Sequence, residues 1–384
     1  MTEPGSATPT AARSTVRRLV GPAVGLIVVV ATFGFILPQI ADYASVWATV
    51  QTLSLGGLAL LVVVAGWNLA SVGPVLMTAF PGMRFGEAMT VAQTGTALSS
   101  ALPGGEVVAY GMQYRMYRSF RLTTSEVAQG LVISGMFDNF AKFSMPVIAL
   151  VCIRITGDNA DGLEPVAIIG FGLLVASIVI AVGVLRSESF AGRFGAWAGR
   201  VATRPLGWFK RPPLADFGER VIEFRRESLG LLRRRWAILT VAAYVSELSV
   251  YLVLLASLRL VGVSESEVSW SVVLASFALV RILQSVPITP GGVGIVELGL
   301  TGALVAAGGD HVEVIAGVLV FRALTWLPPL VLGPISYAVW RAQMARRDDV
   351  EPEPLPTHDE LVAEVEREGL EAYDAELGAS DERS

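Results

Sequence analysis

The chain has 384 residues, of which 53% are hydrophobic and 16% are charged, and its mean hydropathy is +0.58. A composition this apolar excludes an ordinary soluble protein and is typical of a membrane protein with several spans. The net charge of −5 is unevenly divided, because residues 344–384 carry 14 acids and 4 bases and the remaining sequence is basic. Cys152 is the only cysteine, which excludes an intrachain disulfide.

Six predominantly apolar runs are long enough to span a membrane. They cover residues 19–41, 56–79, 127–155, 165–185, 236–261 and 312–340. Residues 1–15 are expected to be a disordered N-terminus. The stretch 186–235 is expected to be a basic loop carrying an amphipathic helix over 215–235, and residues 346–384 an acidic tail. The sequence Thr-Thr-Ser-Glu at 123–126 predicts a helix N-terminus.

One stretch, 286–297, interrupts the apolar pattern most strongly with the sequence VPITPGGVGIVE. Its two prolines and three glycines break any helix. A weaker copy, SSALPGGE, occupies residues 99–106. Broken backbone at membrane depth is tolerated only where protein buries it or where it lines a wet cavity. Paired interruptions in the two halves of a chain therefore indicate a transporter-like binding site.

The distribution of arginine and lysine predicts the orientation of the chain. Basic residues place both termini, the Arg84 region, the 115–121 region and the loop 186–235 in the cytoplasm. The loops around Asp42 and Glu265 are then outside. Each glycine-rich segment therefore has to enter and leave the membrane on the same side.

The predicted fold is an all-α polytopic membrane protein with six full transmembrane helices and two re-entrant helical hairpins in an inverted repeat. The transmembrane domain spans 16–345, with a first half at 16–160 and a second half at 163–345. The alternative is a protein with eight or more full spans. That alternative places the basic residues of 115–121 outside.

Ionisable residues within the apolar segments are functional candidates, because each costs several kcal/mol unless it is paired. They are Glu106, Asp138, Lys142, Glu247, Arg281, Glu297 and Arg322. Asp138 and Lys142 are four residues apart, which suits an ion pair on one helix face. Together with Glu247, they are expected to form a charge relay or a structural pair.

A helix that begins after Gly292 presents free N–H groups and a positive dipole end, which attract anions. Arg281 and Arg322 add guanidinium donors for a phosphate. The full set of expected binding residues is Pro290, Gly291, Gly292, Gly294, Glu297, Arg281 and Arg322, with Gly104, Gly105, Glu106 and Arg115 in the weaker copy.

Three structural alternatives for these residues stay open. The arginines could form ion pairs with Glu247 or Glu297, and Glu106 could cap a helix. The glycines could serve only to allow close helix packing.

The chain has two histidines, His311 and His358, and no phosphate-binding loop. We therefore expect no metal, no cofactor, no catalytic residue and no nucleic-acid partner.

The motifs resemble those of a known family. Pro290-Gly291-Gly292-Val293-Gly294 with Glu297 resembles the second signature of the flippase-like membrane domain of lysylphosphatidylglycerol synthase. Pro103-Gly104-Gly105-Glu106 with Arg115 is similar to the first signature, although Glu follows the glycine pair directly. Asp138, and Arg322 with Pro328, Pro329 and Gly333, match the patterns of later spans. The resemblance covers roughly residues 17–341.

The resemblance implies translocation of aminoacylated phosphatidylglycerol, or of another anionic or polyprenyl-linked lipid. We expect an anionic phospholipid or a polyprenyl-phosphate-type lipid to be moved across the bacterial plasma membrane, with both termini cytoplasmic. The synthase carries a large soluble domain after its membrane part, whereas this chain has only an acidic tail there. We therefore expect no aminoacylating activity and no enzyme. One alternative is a scaffold that recruits a cell-envelope enzyme through the basic loop and the acidic tail. A second is an enzyme that acts on a lipid headgroup.

Overall fold

The computed structural model describes residues 51, 53–101, 105–158, 164–206, 217–284 and 290–345. These residues form ten α-helices and one 3-10 turn, and no β-strand occurs among them. The predicted all-α class is thus confirmed for this part of the chain. The predicted disordered terminus 1–15, first span 19–41 and acidic tail 346–384 lie outside the described residues, as does Gly104.

The helices are α1 (Leu55–Ala79), α2 (Phe85–Ala101), α3 (Gly105–Ser119), α4 (Thr124–Thr156), α5 (Glu164–Arg186), α6 (Glu188–Leu206), α7 (Phe217–Val261), α8 (Trp270–Gln284), α9 (Ile295–Ala306) and α10 (His311–Ala345). The 3-10 turn, Pro290–Gly292, precedes α9. Five described segments are long and apolar enough to cross a membrane: Leu55–Ala79, Thr124–Thr156, Ile168–Arg186, Arg234–Val261 and His311–Ala345. They correspond to five of the six predicted spans.

Local chemistry explains where the long helix α4 begins and ends. Thr123 is its N-cap: the Thr123 hydroxyl accepts from the Glu126 backbone N–H, and the Glu126 carboxylate accepts from the Thr123 N–H. Gly157 ends the helix in a left-handed conformation with φ of 75°. The helix start predicted from residues 123–126 is therefore confirmed.

The stretch 186–235 differs from the expected loop. It contains α6 and the first part of α7, which runs without a break from Phe217 to Val261. The amphipathic segment 215–235 is thus largely the start of a span-forming helix, because no proline interrupts the sequence between 217 and 261. The separate helix is α6, which begins after Ser187 and packs along α7.

The two long helices α1 and α7 pack against each other in opposite directions. Near one end, a β-carbon built on Gly57 would lie 3.1 Å from the Leu260 side chain. Further along, the Asn68 side-chain amide donates to the Ser249 hydroxyl at 2.9 Å. Residue numbers rise along α1 while those of its partners fall along α7. The two helices are therefore antiparallel.

Two short helix pairs complete the bundle: α2 packs against α3, and α8 packs against α9. We call them the first and the second helix pair. Each pair also lies against a long helix of the other half of the chain, since α2 packs on α10 and α8 packs on α4. The halves are therefore interleaved.

Asp158 joins the end of α4 to the start of α8. Its carboxylate accepts hydrogen bonds from Ser271 at 2.5 Å, from Thr156 at 2.6 Å and from Ser269 at 2.7 Å. These bonds hold the pKa of Asp158 below its ordinary value. We call this end of the bundle the Asp158 end.

The second helix pair begins and ends at the Asp158 end. After α9, a β-carbon on Gly309 would lie 3.0 Å from the side chain of Val268, two residues before α8 begins. The turn after α7 lies there too, because Gly262 approaches Glu313 in the first turn of α10. The chain therefore enters and leaves this pair on one side of the bundle.

The first helix pair begins and ends at the opposite end. Phe80, at the end of α1, stacks on Tyr117 near the end of α3, with ring centroids 4.2 Å apart. Its ring also contacts Gly130 early in α4. The Trp340 indole N–H, near the end of α10, donates to Ser119 at 2.8 Å. We call this the Trp340 end.

Buried apolar residues form two clusters with polar groups between them. Along α7, Leu239 belongs to the cluster near the Trp340 end and Val253 to the other, and Glu247 lies between them. Along α4, Ala141 and Met145 belong to the same two clusters, and buried Ser144 separates them. The middle of the bundle is therefore its polar layer.

Candidate functional site

The two helix pairs meet at the 3-10 turn. A β-carbon on Gly291 would lie 3.4 Å from Cβ of Ser100, near the end of α2, and 2.6 Å from Nε1 of Trp326 on α10. Gly291 also has φ of 57°, a conformation that disfavours residues with a side chain. Both the backbone and the close approach therefore require glycine. We call Gly291, Ser100 and Trp326 the tip contact.

Arg322 holds the second pair to α10. Its Nε donates to Oε1 of Glu297 at 2.6 Å, and its Nη2 donates to the Gly291 carbonyl at 3.0 Å. The side chains of Arg322 and Glu297 are 12% and 5% exposed. The other Glu297 oxygen accepts from the Gly294 N–H at 2.7 Å. The helix end expected to attract an external anion is thus met by the chain's own carboxylate.

Arg281 joins α8 to α7 through a two-pronged ion pair. Its Nε and Nη2 donate to the two carboxylate oxygens of Glu247 at 2.5 and 2.6 Å. Glu247 is 2% exposed, whereas the Arg281 side chain keeps 20% of its surface. The third nitrogen of the guanidinium, Nη1, donates to Gln284 at 3.1 Å. Both arginines therefore have the ion-pair partners that the sequence raised as an alternative.

Asp138 and Lys142 form the predicted pair on α4, with an N–O distance of 2.5 Å. The Asp138 side chain is 49% exposed although it lies near the middle of a helix long enough to cross a membrane. Its charge acts on Arg281 and on the exposed Tyr110 of α3. The charge of Asp138 therefore reaches both the Arg281–Glu247 pair and the surface of α3.

The weaker motif does not bring all its expected residues together. Gly105 is the buried first residue of α3, and Glu106 is exposed in its first turn. Arg115 lies nine residues further along, a helical rise of about 14 Å. The structure therefore separates Arg115 from Glu106, toward the Trp340 end.

Sequence reasoning missed Gln284, which bonds Arg281 and lies against Gly292. The available signal was its position one helical turn after Arg281. It also missed Gln93, a 6%-exposed residue of α2 whose carbonyl oxygen has no hydrogen-bond partner within the described ranges. No charge or motif distinguishes Gln93 in the sequence.

A helical bundle with several possible spans, two short helix pairs and buried ion pairs around their contact is typical of polytopic membrane proteins with a polar interior.

The chain belongs to the family of the lysylphosphatidylglycerol synthase transmembrane region, whose model matches residues 18–333. This match includes both helix pairs, both buried ion pairs and Asp138. The family resemblance seen in the motifs is thus confirmed. Among curated proteins, none matches the chain.

Proposed function

We propose that this protein translocates a lipid with an anionic headgroup, an anionic phospholipid or a polyprenyl-phosphate-type lipid, across the plasma membrane. The observation that carries the proposal is the tip contact, where the two helix pairs meet beside Arg322 and its ion pair. Membership of a membrane family named after a lipid synthase supports a lipid-related role. In this proposal the headgroup passes through the polar middle of the bundle while the acyl or prenyl chains stay in the membrane.

The helix pairs act as re-entrant hairpins in this proposal. With 15 and 12 residues, α8 and α9 rise about 22 and 18 Å, less than the roughly 30 Å of a hydrocarbon core. Each pair also starts and finishes at one end of the bundle. The antiparallel contact between α1 and α7, the corresponding long helices of the two halves, supports an inverted repeat. Six spans with two hairpins fit these features better than eight full crossings.

The test of translocation uses purified protein in liposomes that contain a fluorescent anionic lipid, with external dithionite to bleach the outer leaflet. Wild type should expose inner-leaflet phosphatidylglycerol or undecaprenyl phosphate to the quencher. Arg281→Ala should slow this at least tenfold, because it removes the partly exposed guanidinium. Arg193→Ala, on the exposed surface of α6, is the matched control. Wild-type protein that moves neither lipid would refute the proposal.

A substitution tests whether the tip contact is part of the route. A β-carbon on Gly291 would lie 2.6 Å from Nε1 of Trp326, and the residue would have to keep a φ of 57°. Gly291→Ala should therefore disturb the tip contact and slow lipid movement. Gly302→Ala is the matched control, because nothing lies within 4 Å of a β-carbon there, and it should move lipid at the wild-type rate. Wild-type transport by Gly291→Ala would contradict the role of the tip.

A scaffold is the second candidate, favoured by the length of α7. This helix starts 17 residues before its apolar segment Arg234–Val261, and the stretch 186–235 carries 12 bases and 5 acids. A basic stretch of this kind suits an acidic protein partner. Deletion of residues 348–384 distinguishes the two functions. A cell-envelope defect with intact lipid movement in liposomes would favour the scaffold.

A further inference from the structure

The two buried ion pairs are not equivalent. Glu297 has two partners, Arg322 and the backbone N–H of Gly294 at the start of α9. For Glu247, Arg281 is the sole hydrogen-bond or ion-pair partner within the described residues, and it occupies both carboxylate oxygens. Removal of the arginine would therefore leave Glu297 bound to a helix N-terminus and Glu247 buried without a partner.

The arginines also differ in how accessible they are. The Arg281 side chain is 20% exposed and the Arg322 side chain 12% exposed. Arg322 also donates to the Gly291 carbonyl, and Arg281 also donates to the neutral side chain of Gln284. A phosphate that enters the polar layer can therefore compete for Arg281 more readily than for Arg322.

Competition of this kind changes the charge of Glu247. A phosphate that takes over the Arg281 guanidinium provides the negative charge that Glu247 supplied before. Glu247 is 2% exposed, and an isolated carboxylate at such a site neutralises by binding a proton rather than remaining charged. Phosphate binding and proton uptake are then two parts of one equilibrium.

We propose that the Arg281–Glu247 pair is a proton-linked binding site, in which an anionic headgroup displaces Glu247 from Arg281 and Glu247 takes up one proton. This inference rests on the proposed lipid translocation and names its coupling ion. The proton comes from the aqueous phase, binds one Glu247 oxygen, and returns to water when the headgroup leaves and the ion pair re-forms. For a headgroup with one negative charge, the loaded site has the same net charge as the empty site.

Among the residues that the structure describes, few other titrating groups surround the pair. Asp138 on α4 is the next charge that acts on Arg281, and it is already paired with Lys142. The contact face of α1 brings only neutral groups to α7, such as Asn68. On α10, which also packs on α7, Arg322 is paired with Glu297. When a headgroup binds Arg281, Glu247 is therefore the carboxylate that loses its neutralising positive charge.

Binding gives a test that does not depend on transport. Isothermal titration of the detergent-solubilised full chain with dihexanoyl phosphatidylglycerol, repeated in buffers of different ionisation enthalpy, measures the protons taken up per lipid. Wild type should take up close to one proton at neutral pH. Glu247→Gln, which imitates the protonated side chain, should bind the lipid with no proton uptake. Equal uptake by wild type and Glu247→Gln would overturn the proposal.

Transport gives the second test, in the liposome assay with fluorescent phosphatidylglycerol. Below saturation, the wild-type rate should rise up to tenfold for each unit of falling pH, because each lipid carries one proton. A potassium–valinomycin potential should leave this rate unchanged. Glu247→Gln should lose the pH dependence and become sensitive to the potential. A wild-type rate independent of pH would overturn the proton link.

Two comparisons make the results specific. Glu265→Gln alters a half-exposed carboxylate that pairs with Arg259 in the loop after α7, and it should keep the wild-type pH profile. Wild type that binds lipid with one proton but never moves it would refute translocation and keep the proton-linked site. Wild type that moves lipid without any proton uptake would refute the proton-linked site and keep translocation. If Glu247→Gln does not fold, the proton count and pH profile of wild type still decide.

Discussion

Glu247 and Glu297 illustrate what a sequence reveals about single residues. Their position within apolar segments identifies them as candidates, since a buried charge requires a partner. Their partners lie 34 and 25 residues away, on other helices, so no local spacing selects Arg281 or Arg322. The exception is the cap of Glu297 on Gly294, whose three-residue spacing is a local signal. Tertiary packing determines which arginine pairs with each glutamate.

Replacement of Arg322 by alanine should destabilise the protein by about 3 kcal/mol, the lower end for a broken buried ion pair, because Glu297 keeps its buried charge with only the Gly294 N–H as partner. Thermal unfolding in detergent measures the change. The double variant Arg322→Ala with Glu297→Gln should recover part of the loss, since the unpaired charge is gone. Arg193→Ala, on the surface of α6, should stay within about 0.5 kcal/mol of wild type. A wild-type melting temperature for Arg322→Ala would contradict a structural role for the pair.

At the scale of helices, glycine sets the distance between the first pair and α10. A β-carbon on Gly333 would lie 2.2 Å from Cβ of Ala97 and 2.8 Å from the backbone oxygen of Gln93, both on α2. Backbone cannot move aside as a flexible side chain does. The fit of α2 on α10 therefore depends on the absence of one methyl group.

Gly333→Ala should cost about 1–3 kcal/mol, because the added methyl group forces α2 away from α10. Gly302→Ala is its matched control: nothing lies within 4 Å of a β-carbon at this position of α9. There the gain in helix propensity should stabilise the protein by about 0.5–1 kcal/mol. Unfolding in detergent should move the two variants in opposite directions. Equal shifts would show that α2 does not pack on Gly333.

Asp158 makes the link between α4 and α8 depend on pH. Its pKa is lowered in the folded protein, so its hydrogen bonds add stability above the unfolded pKa of about 3.9, and this stability is lost as the pH falls through the folded pKa. Wild type should therefore lose more stability than Asp158→Asn between pH 5 and the acid limit of about 2. Parallel melting curves over that range would contradict the link. Denaturation followed by tryptophan fluorescence measures the stability of wild type and of Asp158→Asn.

The helices that sequence predicted best are those with long apolar runs, such as α1, α4, α5 and α10, because a membrane-length run has few other uses. The stretch 186–235 was harder. The amphipathic spacing over 215–235 predicted a helix, which agrees with the start of α7. A loop was expected where α6 lies, although arginine and alanine, both frequent there, are good helix formers. Charge locates a segment relative to the membrane and carries little information on whether it is helical.

For the molecule as a whole, the positions of the turns follow from contacts between distant segments. The turn between α1 and α2 and that between α3 and α4 share the Trp340 end, and the turns around α8 and α9 share the Asp158 end. Arginine placement predicts the same grouping relative to the membrane, and this remains a prediction that labelling can test. It could not predict that the halves interleave, because a charge count contains no information on which helices touch.

Cysteine labelling in cells tests the grouping. In a Cys152→Ala background, cysteines at Gly82 and Arg121 should react with an impermeant maleimide only after the cytoplasm is opened. Cysteines at Glu265 and Gly308 should react in intact cells. Labelling of positions 82 and 121 from opposite sides would make the first helix pair an ordinary crossing. The re-entrant arrangement, and the proposed route between the pairs, would then be wrong.

The packing of α2 on α10 has a consequence for synthesis. When Ala97 leaves the ribosome, the residue that accommodates it, Gly333, is still more than 200 residues away. At about 5–20 residues per second, that is a delay of roughly 10–50 s. During that time the newly inserted α2 faces the translocon, lipid or a chaperone instead of its final neighbour. Slower elongation after α2 should therefore expose the nascent chain to membrane proteases for longer.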